Sequence, residues 1–326
     1  MRLGITIPFE APLAEHGAIF LALRDAGYTD LWTAETARTD AFGPLMAAAL
    51  VAPELHLGSA IASVFSRGPA LLAMNAASLA EAAPGRVTIG IGASSKAMSA
   101  GWNDRPYENP LHRVTDSVSF LRATLSGERV ASEYRTFEVD RFALERPPAA
   151  MPSLAVAALG PAMLSAAARC ADGVVLNWLG ADDVALVRAH LEQQRPGADL
   201  DLITRIFVCP SSDAATVRSS AKPLLARYLT VPAYAASQRW MGRGELLAPM
   251  WDAWNDRDRA AATSAVPDDV VDHLVVHGTP SACAEQVHRY VEQGVTVPVV
   301  KILPLADIEP LSAAVAVATA YGELGG

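Results

Sequence analysis

Two turns in the chain are built from small and hydroxyl-bearing residues, which can bind an anion through their backbone amides. The first, Gly92-Ala93-Ser94-Ser95, follows the apolar segment Val87–Ile91, and the second, Leu159-Gly160-Pro161, follows the apolar segment Leu154–Ala158. Pro161 occupies the first turn of a predicted helix, where free amides and the helix dipole favour a phosphate or a carboxylate. Each turn by itself is also explained as a tight connection between a strand and a helix. Two such turns on consecutive strands favour anion binding.

A third segment of the same kind suggests a place for a flat ring. Leu55–Ala62 is a predicted strand, and the chain around its end stays small and hydroxylated at Ser59, Ser63 and Ser66. Small residues at a strand end allow a ligand to approach the backbone closely. The alternative is a serine-rich loop that binds nothing.

Two glutamates follow predicted strands and are the candidate catalytic residues. Glu10 follows the first strand and Glu35 follows the second. A carboxyl group at either position can donate a proton or anchor a ligand by a hydrogen bond. Because acidic residues are common on surface loops, a solvated carboxylate is the alternative for each.

Aromatic and amide side chains near two other strand ends are candidates for a pocket wall. Trp102 and Asn103 lie after the fourth strand, and Trp178 follows Asn177 at the end of the sixth. An exposed indole there can stack on a ligand, whereas a buried indole would serve packing. Both roles stay open for the two tryptophans.

Histidine and cysteine give no indication of a metal or of a nucleophile. His273 and His277 are four residues apart, but no glutamate follows His273 as it does in the helix of a metalloprotease. We therefore expect a histidine pair near a helix C-terminus without a metal. The three cysteines are far apart in the chain and fit neither a disulfide framework nor a zinc cluster.

These residues need a scaffold that brings strand ends together, and the alternation of predicted elements supplies one. Eight apolar strand candidates are each followed by a helix candidate, which is the count of a closed (β/α)₈ TIM barrel. The strand candidates are residues 3–7, 30–33, 55–62, 87–91, 154–158, 173–177, 202–208 and 297–303. A doubly wound open sheet is the alternative, but the first strand-to-helix turn, PFEAPLAEHG, lacks the glycine pattern that binds a dinucleotide.

Two segments interrupt the alternation. Residues 211–294 are mostly helical and longer than one crossover requires, so we predict a single domain, residues 1–326, with a helical insertion at 211–294 between strands seven and eight. The alternating stretch TFEVDRFAL, within residues 130–146, predicts a small surface hairpin.

The overall composition narrows the class of protein. A formal net charge of −9 argues against a general nucleic-acid or membrane-surface role. No apolar run reaches the roughly 18–20 residues that a membrane helix needs. The residues MRLGITIP lead directly into a strand without the layout of a signal peptide, so we expect a soluble cytoplasmic protein.

Six stretches of the chain fall, in order, on the predicted barrel positions. They are LGITIP, GYTDLWTAE, LGSAIASVFSRGPALLA, GRVTIGIGASSKAMSAGWNDRP, VAALGPAMLSAAARCADGVVLNW and HGTPSACAEQVHRYVEQGV. Together they resemble the bacterial luciferase-like superfamily and, within it, the branch that uses coenzyme F420. FMN-dependent members share the fold, so the resemblance is more specific for the superfamily than for the cofactor.

The resemblance implies a luciferase-like barrel with an insertion before the last strand and a cofactor ring in the barrel mouth. In F420-dependent members a non-proline cis peptide after strand three forms a bulge behind the ring, and the matching bond is Ala60–Ile61. The phosphate-bearing tail lies against the turns matching residues 92–95 and 159–161. The resemblance to this family also implies a homodimer. The cofactor-binding residues are then Ser59, Ala60, Ile61, Ser63, Gly92, Ala93, Ser94, Ser95, Leu159, Gly160, Pro161 and Asn177.

The sequence departs from this branch in one place. Several F420-dependent members carry Asp-His after strand two, where this chain has Glu35-Thr36. The acid is present and the imidazole is missing. This difference argues against transferring a histidine-based proton transfer, and with it the sugar-phosphate and alcohol substrates of those members.

The first hypothesis is therefore a coenzyme F420-dependent oxidoreductase that transfers a hydride between the deazaflavin C5 and a small organic substrate. Glu35 is the first candidate for the proton donor and Glu10 the second. The alternatives are an FMN-dependent two-component monooxygenase that uses O2 and, from another class, a non-catalytic barrel that binds a flavin-like ligand. The predicted substrate pocket consists of Thr36, Trp102, Asn103 and Trp178.

Overall fold

Eight parallel strands close into a barrel, which confirms the predicted fold. The computed structural model describes residues 1–7, 9–304 and 308–324. The barrel strands pair in the order β1, β2, β3, β4, β7, β8, β9 and β11, and β11 pairs with β1 to complete the ring. The strands are β1 (Gly4–Thr6), β2 (Asp30–Ala34), β3 (His56–Ser63), β4 (Val87–Gly92), β5 (Val130–Glu133), β6 (Glu138–Phe142), β7 (Ser153–Ala157), β8 (Gly173–Asn177), β9 (Asp201–Cys209), β10 (Val275–His277) and β11 (Val297–Ile302).

Helices cover the outside of the barrel, and a proline opens several of them because its missing amide costs nothing in a first turn. Of the helices in the described ranges, none combines the length and the apolar character that crossing a membrane requires. The helices are α1 (His16–Asp25), α2 (Gly43–Val51), α3 (Pro69–Ala82), α4 (Pro110–Leu125), α5 (Pro161–Cys170), α6 (Val184–Gln194), α7 (Ala214–Leu229), α8 (Pro232–Trp240), α9 (Gly244–Asn255), α10 (Arg259–Ser264), α11 (Asp268–Leu274), α12 (Pro280–Glu292) and α13 (Pro310–Glu323).

The indole of Trp32 fills the inside of the barrel and is 1% exposed. Glycines on the two neighbouring strands make room for it. A Cβ on Gly58 would collide with the ring, and a Cβ on Gly4 would lie 2.9 Å from it. Small and branched side chains from the remaining strands pack around the indole, among them Ala155, Val175, Ile203, Val297 and Val299. Trp32 therefore forms a floor beneath the carboxyl ends of the strands.

Two local features settle sequence predictions. The hairpin predicted within residues 130–146 is present as the antiparallel pair β5 and β6. Of the histidine pair predicted near a helix C-terminus, His273 lies in the last turn of α11, as predicted. The placement of His277 is wrong, because α11 ends at Leu274 and His277 ends β10, which pairs with β9. The two imidazoles therefore do not share a helix face.

The helices α7–α11 lie between β9 and β10 and pack around a second core. Trp178 and Phe207, which belong to the ends of the barrel strands, are part of this core, so it joins the helices to the barrel. The interpretation of residues 211–294 as an insertion within a single domain stays a prediction.

A buried ionic network also fastens these helices to the barrel. Asp183, just before α6, accepts two hydrogen bonds from the guanidinium of Arg243, at 2.9 and 3.0 Å. His273 Nε2 lies 2.9 Å from the same carboxylate, and the amide of Gly180 donates to it at 2.8 Å. Burial alone would raise the pKa of Asp183, but the hydrogen bonds from His273 and Arg243 outweigh it and lower that pKa to about 2.

We expect Asp183→Asn to lower the free energy of unfolding at pH 7 by about 3–5 kcal/mol, because it leaves a buried guanidinium without its counter-ion. A carboxylate whose pKa is lowered by folding stabilises the fold above its unfolded pKa of about 4, and this contribution is lost as the pH falls toward 2. Urea unfolding of both proteins between pH 7 and pH 2 should therefore show a difference that shrinks below about pH 4.

The matched control is Asp182→Asn, since Asp182 is exposed and pairs with Arg289 at the surface. That change should alter the free energy of unfolding by less than about 1 kcal/mol. Equal losses in the two variants would show that the buried network does not stabilise the fold.

Candidate active site

The inward-facing residues at the carboxyl ends of the strands give the barrel mouth two unlike walls. On β3, β4 and β7 the wall is formed by Ala60, Gly92 and Ala157, and a Cβ on Gly92 would lie 3.0 Å from the Cβ of Ala157. On β8, β9 and β11 the wall is polar, and its side chains are Asn177, Arg205 and Lys301. The small-residue wall leaves space for a flat group, and the polar wall offers it hydrogen bonds and positive charge.

A β-bulge interrupts the small-residue wall at Ala60 and Ile61. Ser59 pairs with Ile89 and Ala62 pairs with Ile91, so two residues of β3 face one glycine, Gly90. A Cβ on Gly90 would collide with the backbone oxygen of Ser59 and lie 2.8 Å from that of Ala60. The bulge therefore needs a glycine at this position of β4.

Two predicted cofactor-binding hydroxyls serve the backbone in this structure. The buried Ser59 hydroxyl accepts a hydrogen bond from the amide of Gly90 and donates one to its carbonyl, both at 3.0 Å. The buried Ser63 hydroxyl accepts from the amides of Phe65 and Ser66, at 3.3 and 3.2 Å. Both hydroxyls satisfy groups that the bulge and the following turn would otherwise leave unpaired, and the cofactor-binding role predicted for them stays a prediction.

Glu35 has a similar local role. One carboxylate oxygen forms an ion pair with Arg67, and the other accepts a hydrogen bond from the amide of Ser63 at 2.9 Å. The side chains of Glu35 and Arg67 are each 12% exposed. Because both oxygens are occupied, the carboxylate holds the end of β3 in place.

The two predicted anion turns lie side by side at the barrel rim, because β4 pairs with β7 in parallel, with Ile91 opposite Val156. Within the described ranges, the amides of residues 93–95 donate no backbone hydrogen bond. Ser94 has a positive φ of 57°, and the hydroxyl of Ser95 accepts from the amide of Met98 at 3.3 Å. The free amides after Pro161, at the start of α5, complete an N–H-rich rim.

The residues predicted to line the substrate pocket have different roles in the structure. Trp178 is 1% exposed and stacks on Phe207 with ring centres 3.7 Å apart, so it serves packing and forms no pocket wall. Trp102 is exposed at the end of a π-helical segment, Ala97–Trp102. Asn103 ties this segment to the loop after β3 by donating to the carbonyl of Met98 at 2.6 Å and to the hydroxyl of Ser66 at 3.3 Å.

Asn177 lies at the mouth of the barrel, at the end of β8. Its Nδ2 donates to the hydroxyl of Tyr234 at 3.1 Å, while its buried Oδ1 has no partner in the described part of the chain. An unpaired buried acceptor is costly, so this oxygen is available to a donor on a ligand.

A cavity of about 400 Å³ lies in the loop after β1, and a second of about 360 Å³ borders Arg205 and Lys301 of the polar wall. The second cavity has the size of a small-molecule site. Glu10 and Thr36 line it, and Glu35 is not among its lining residues in the described ranges. The cavity also contains residues of β9, β11 and α7, namely Arg205, Lys301, Arg227 and Tyr228.

The family model for luciferase-like monooxygenases matches residues 1–297. The chain belongs to this family. A Mycobacterium tuberculosis protein, provisionally named a coenzyme F420-dependent oxidoreductase, is 23% identical over 347 residues, covering 97% of this chain and 99% of that protein. The predicted family is thereby confirmed.

Several solved structures share this fold. Coenzyme F420-dependent tetrahydromethanopterin reductase from Methanopyrus kandleri has a TM-score of 0.81 at 19% identity, covering 99% of each chain. EDTA monooxygenase from Chelativorans has a TM-score of 0.71 at 15% identity, covering 100% of this chain and 94% of the other. The family match and the named relative show that the chain is an enzyme, as predicted.

Sequence reasoning missed two residues that line the candidate site, Arg205 and Lys301. Each is a lone cation in an otherwise apolar strand, in LITRIFV and in VPVVKI. A charged side chain in a strand that is buried on both faces needs a polar partner or a ligand. A lone cation within an apolar strand was therefore the sequence pattern that could have identified these two residues. Burial lowers the pKa of Lys301 to about 8, with a further lowering from Arg205.

We expect Gly90→Ala to lower the free energy of unfolding by about 3 kcal/mol, because the added methyl group meets the bulged backbone and not a movable side chain. Urea denaturation measures this loss. Gly101→Ala is the control, since a Cβ there meets nothing within 4 Å. A Gly90→Ala protein as stable as the Gly101→Ala protein would contradict the role given to Gly90.

Proposed function

We propose that this luciferase-like enzyme is a coenzyme F420-dependent oxidoreductase acting on a small organic substrate. The observation that carries the proposal is the N–H-rich rim at residues 93–95 and at the start of α5, next to the bulged small-residue wall. A flat ring with an anionic tail fits such a pair of features. The provisional F420-dependent name of the mycobacterial relative supports the same choice.

The residues present fit that cofactor. Ala60, Ile61, Gly92 and Ala157 would lie against the ring, and the amides of residues 93–95 would hold the phosphate of the tail. When bound, the deazaflavin of coenzyme F420 gives or accepts a hydride at C5. The protein positions the two reactants, and the Trp32 floor closes the barrel beneath them against water.

Glu10 is our candidate for the proton donor in place of Glu35. Glu10 lines the 360 Å³ cavity and its side chain is 67% exposed, so it can exchange protons with solvent and reach a ligand although its Oε1 pairs with Arg38 at 2.9 Å. Glu35 is held by Arg67 and by the amide of Ser63. The expected homodimer and cytoplasmic location remain predictions.

An FMN-dependent monooxygenase is the second candidate, because a ring with a phosphate tail also describes FMN and because EDTA monooxygenase shares this fold. The two candidates differ in the cofactor that the barrel mouth accepts.

Titration of the purified protein with oxidised coenzyme F420 and, separately, with FMN decides between them. We expect coenzyme F420 to bind with a Kd in the micromolar range and FMN to bind at least about tenfold more weakly, a difference of about 1.4 kcal/mol. Quenching of tryptophan fluorescence measures both, since Trp32 lies beneath the mouth. Stronger binding of FMN would replace the proposal by the monooxygenase, and binding without turnover over a wide substrate panel would indicate a non-catalytic barrel.

Ala157→Leu locates the cofactor in the same titration. Filling the small-residue wall should weaken cofactor binding by about tenfold or more, because an overpacked site costs about 1–3 kcal/mol. The control is Ala185→Leu, an exposed position on α6 that should bind as the wild type does. Equal affinities in both variants would place the ring elsewhere.

The variants Glu10→Gln and Glu35→Gln form a second matched pair. With a substrate found in the panel, Glu10→Gln should lower kcat by about a hundredfold, as loss of a general acid does, and leave the midpoint of urea unfolding unchanged. Glu35→Gln should lower the free energy of unfolding by about 3 kcal/mol because Arg67 loses its buried partner, and leave kcat close to that of the wild type. The reverse pattern would return the catalytic role to Glu35.

A further inference from the structure

Two cations on neighbouring barrel strands face the mouth. Arg205 is the fifth residue of β9 and Lys301 the fifth of β11, and both line the 360 Å³ cavity. The strands pair with Arg205 opposite Val299 and Lys301 opposite Phe207, which puts both side chains on the inward face. The Arg205 guanidinium lies 5.0 Å from the centre of the Phe207 ring.

Within the described ranges, neither cation has an acidic partner. The Nε of Arg205 is buried and has no acceptor. Glu10 is the acid that lines the cavity there, and it is paired with Arg38 at 2.9 Å. A buried charge without a counter-ion is costly, and arginine cannot relieve the cost by losing its proton. This arrangement is typical of a site whose ligand brings the negative charge.

The cations lie across the barrel from the wall assigned to the cofactor. Around the closed ring, β11 is four strands from β4 in either direction, and β9 is four strands from β3 in either direction. Lys301 therefore lies opposite the turn at residues 93–95, and Arg205 lies opposite the bulge at Ala60 and Ile61. A phosphate held at the N–H-rich rim lies on the other side of the mouth, so no described residue and no part of that tail neutralises this wall, whereas a second anion would.

We propose that Arg205 and Lys301 bind a carboxylate or a phosphate group of the substrate, so that the enzyme acts on anionic organic molecules. The inference rests on the proposed function, which assigns the opposite wall to the cofactor. A guanidinium presents paired N–H donors that match either oxyanion, and the hydroxyl of Tyr228 in the same cavity can donate a third hydrogen bond.

The ionisation of Lys301 should make the affinity for an anion depend on pH. Burial, Arg205 and Arg38 lower the pKa of Lys301 to about 8, and Glu10 acts in the opposite direction. An anion binds the protonated amine, so its affinity should fall as the pH rises through about 8. Among the described residues, the charged and titratable groups that line the cavity with this amine are Arg205, Arg38, Arg227, Glu10 and Tyr228.

Three probes with a common ring isolate the contribution of charge: phenyl phosphate, benzoate and benzyl alcohol. They are titrated calorimetrically at pH 7 into the cofactor-free protein and into the protein saturated with coenzyme F420. We expect at least one of the two anions to bind at least about tenfold more tightly than the alcohol. The anion with the lower Kd shows whether the site prefers a phosphate or a carboxylate. Arg205→Met and Lys301→Met should each lower the affinity for that anion by about tenfold or more. The Lys301→Arg protein should bind the anion, and its affinity should not fall above about pH 8.

A structural arginine provides the matched control. Arg113 on α4 donates to the carbonyls of Val64 and Thr136, at 3.3 and 3.1 Å, and lies 4.7 Å from the centre of the Phe137 ring. Arg113→Met should lower the Tm and leave anion affinity unchanged. Arg205→Met should keep or raise the Tm of the ligand-free protein, because it removes an unpaired buried charge.

Three results would overturn the inference. One is equal binding of the anions and the alcohol. Another is a fall in Tm for Arg205→Met as large as that for Arg113→Met, which would mean an internal counter-ion outside the described residues. The third is a loss of coenzyme F420 affinity in Arg205→Met equal to the loss of anion affinity, which would assign the cations to the cofactor. If neither cofactor binds, the proposed function fails, while the titration of the cofactor-free protein still tests the anion site.

Discussion

The space inside a closed barrel is fixed by its strands, and here one side chain takes most of it. The indole of Trp32 fits because Gly4 and Gly58 have no Cβ in its way. Packing at this density leaves no room for a ligand below the ring, so any chemistry has to occur above it, at the carboxyl ends of the strands. The contact between Trp32 and Gly58 therefore sets the depth of the mouth.

Above this floor, the bulge in β3 divides the mouth into two unlike halves. Two residues of β3 face Gly90, and the Ser59 hydroxyl supplies the hydrogen bonds that the sheet ladder loses there. A bulge bends its strand and re-aims the backbone, which produces a flat, small-residue wall without an unpaired polar group. The opposite half keeps its long polar side chains because β9 and β11 are regular.

The charges of the molecule divide in the same way. Glu35 with Arg67 and Asp183 with Arg243 are paired at low exposure, and each pair holds a loop or a helix in place. Arg205 and Lys301 face a cavity without such a partner in the described part of the chain. In a medium of low dielectric constant a paired charge supports the fold, whereas an unpaired charge favours a ligand of opposite sign.

The sequence by itself determined the eight strand-to-helix units, the N–H-rich turns and the family, because apolar runs and Gly-Pro turns act over a few neighbouring residues. It placed Glu10 and Glu35 equally well at strand ends, and it left Trp102 and Trp178 open between pocket and packing. Tertiary structure decided these roles, because Arg67, Phe207 and the second core come from distant parts of the chain. Arg205 and Lys301 come together at the barrel mouth only in the closed barrel, because the register of a strand decides which of its side chains face the mouth.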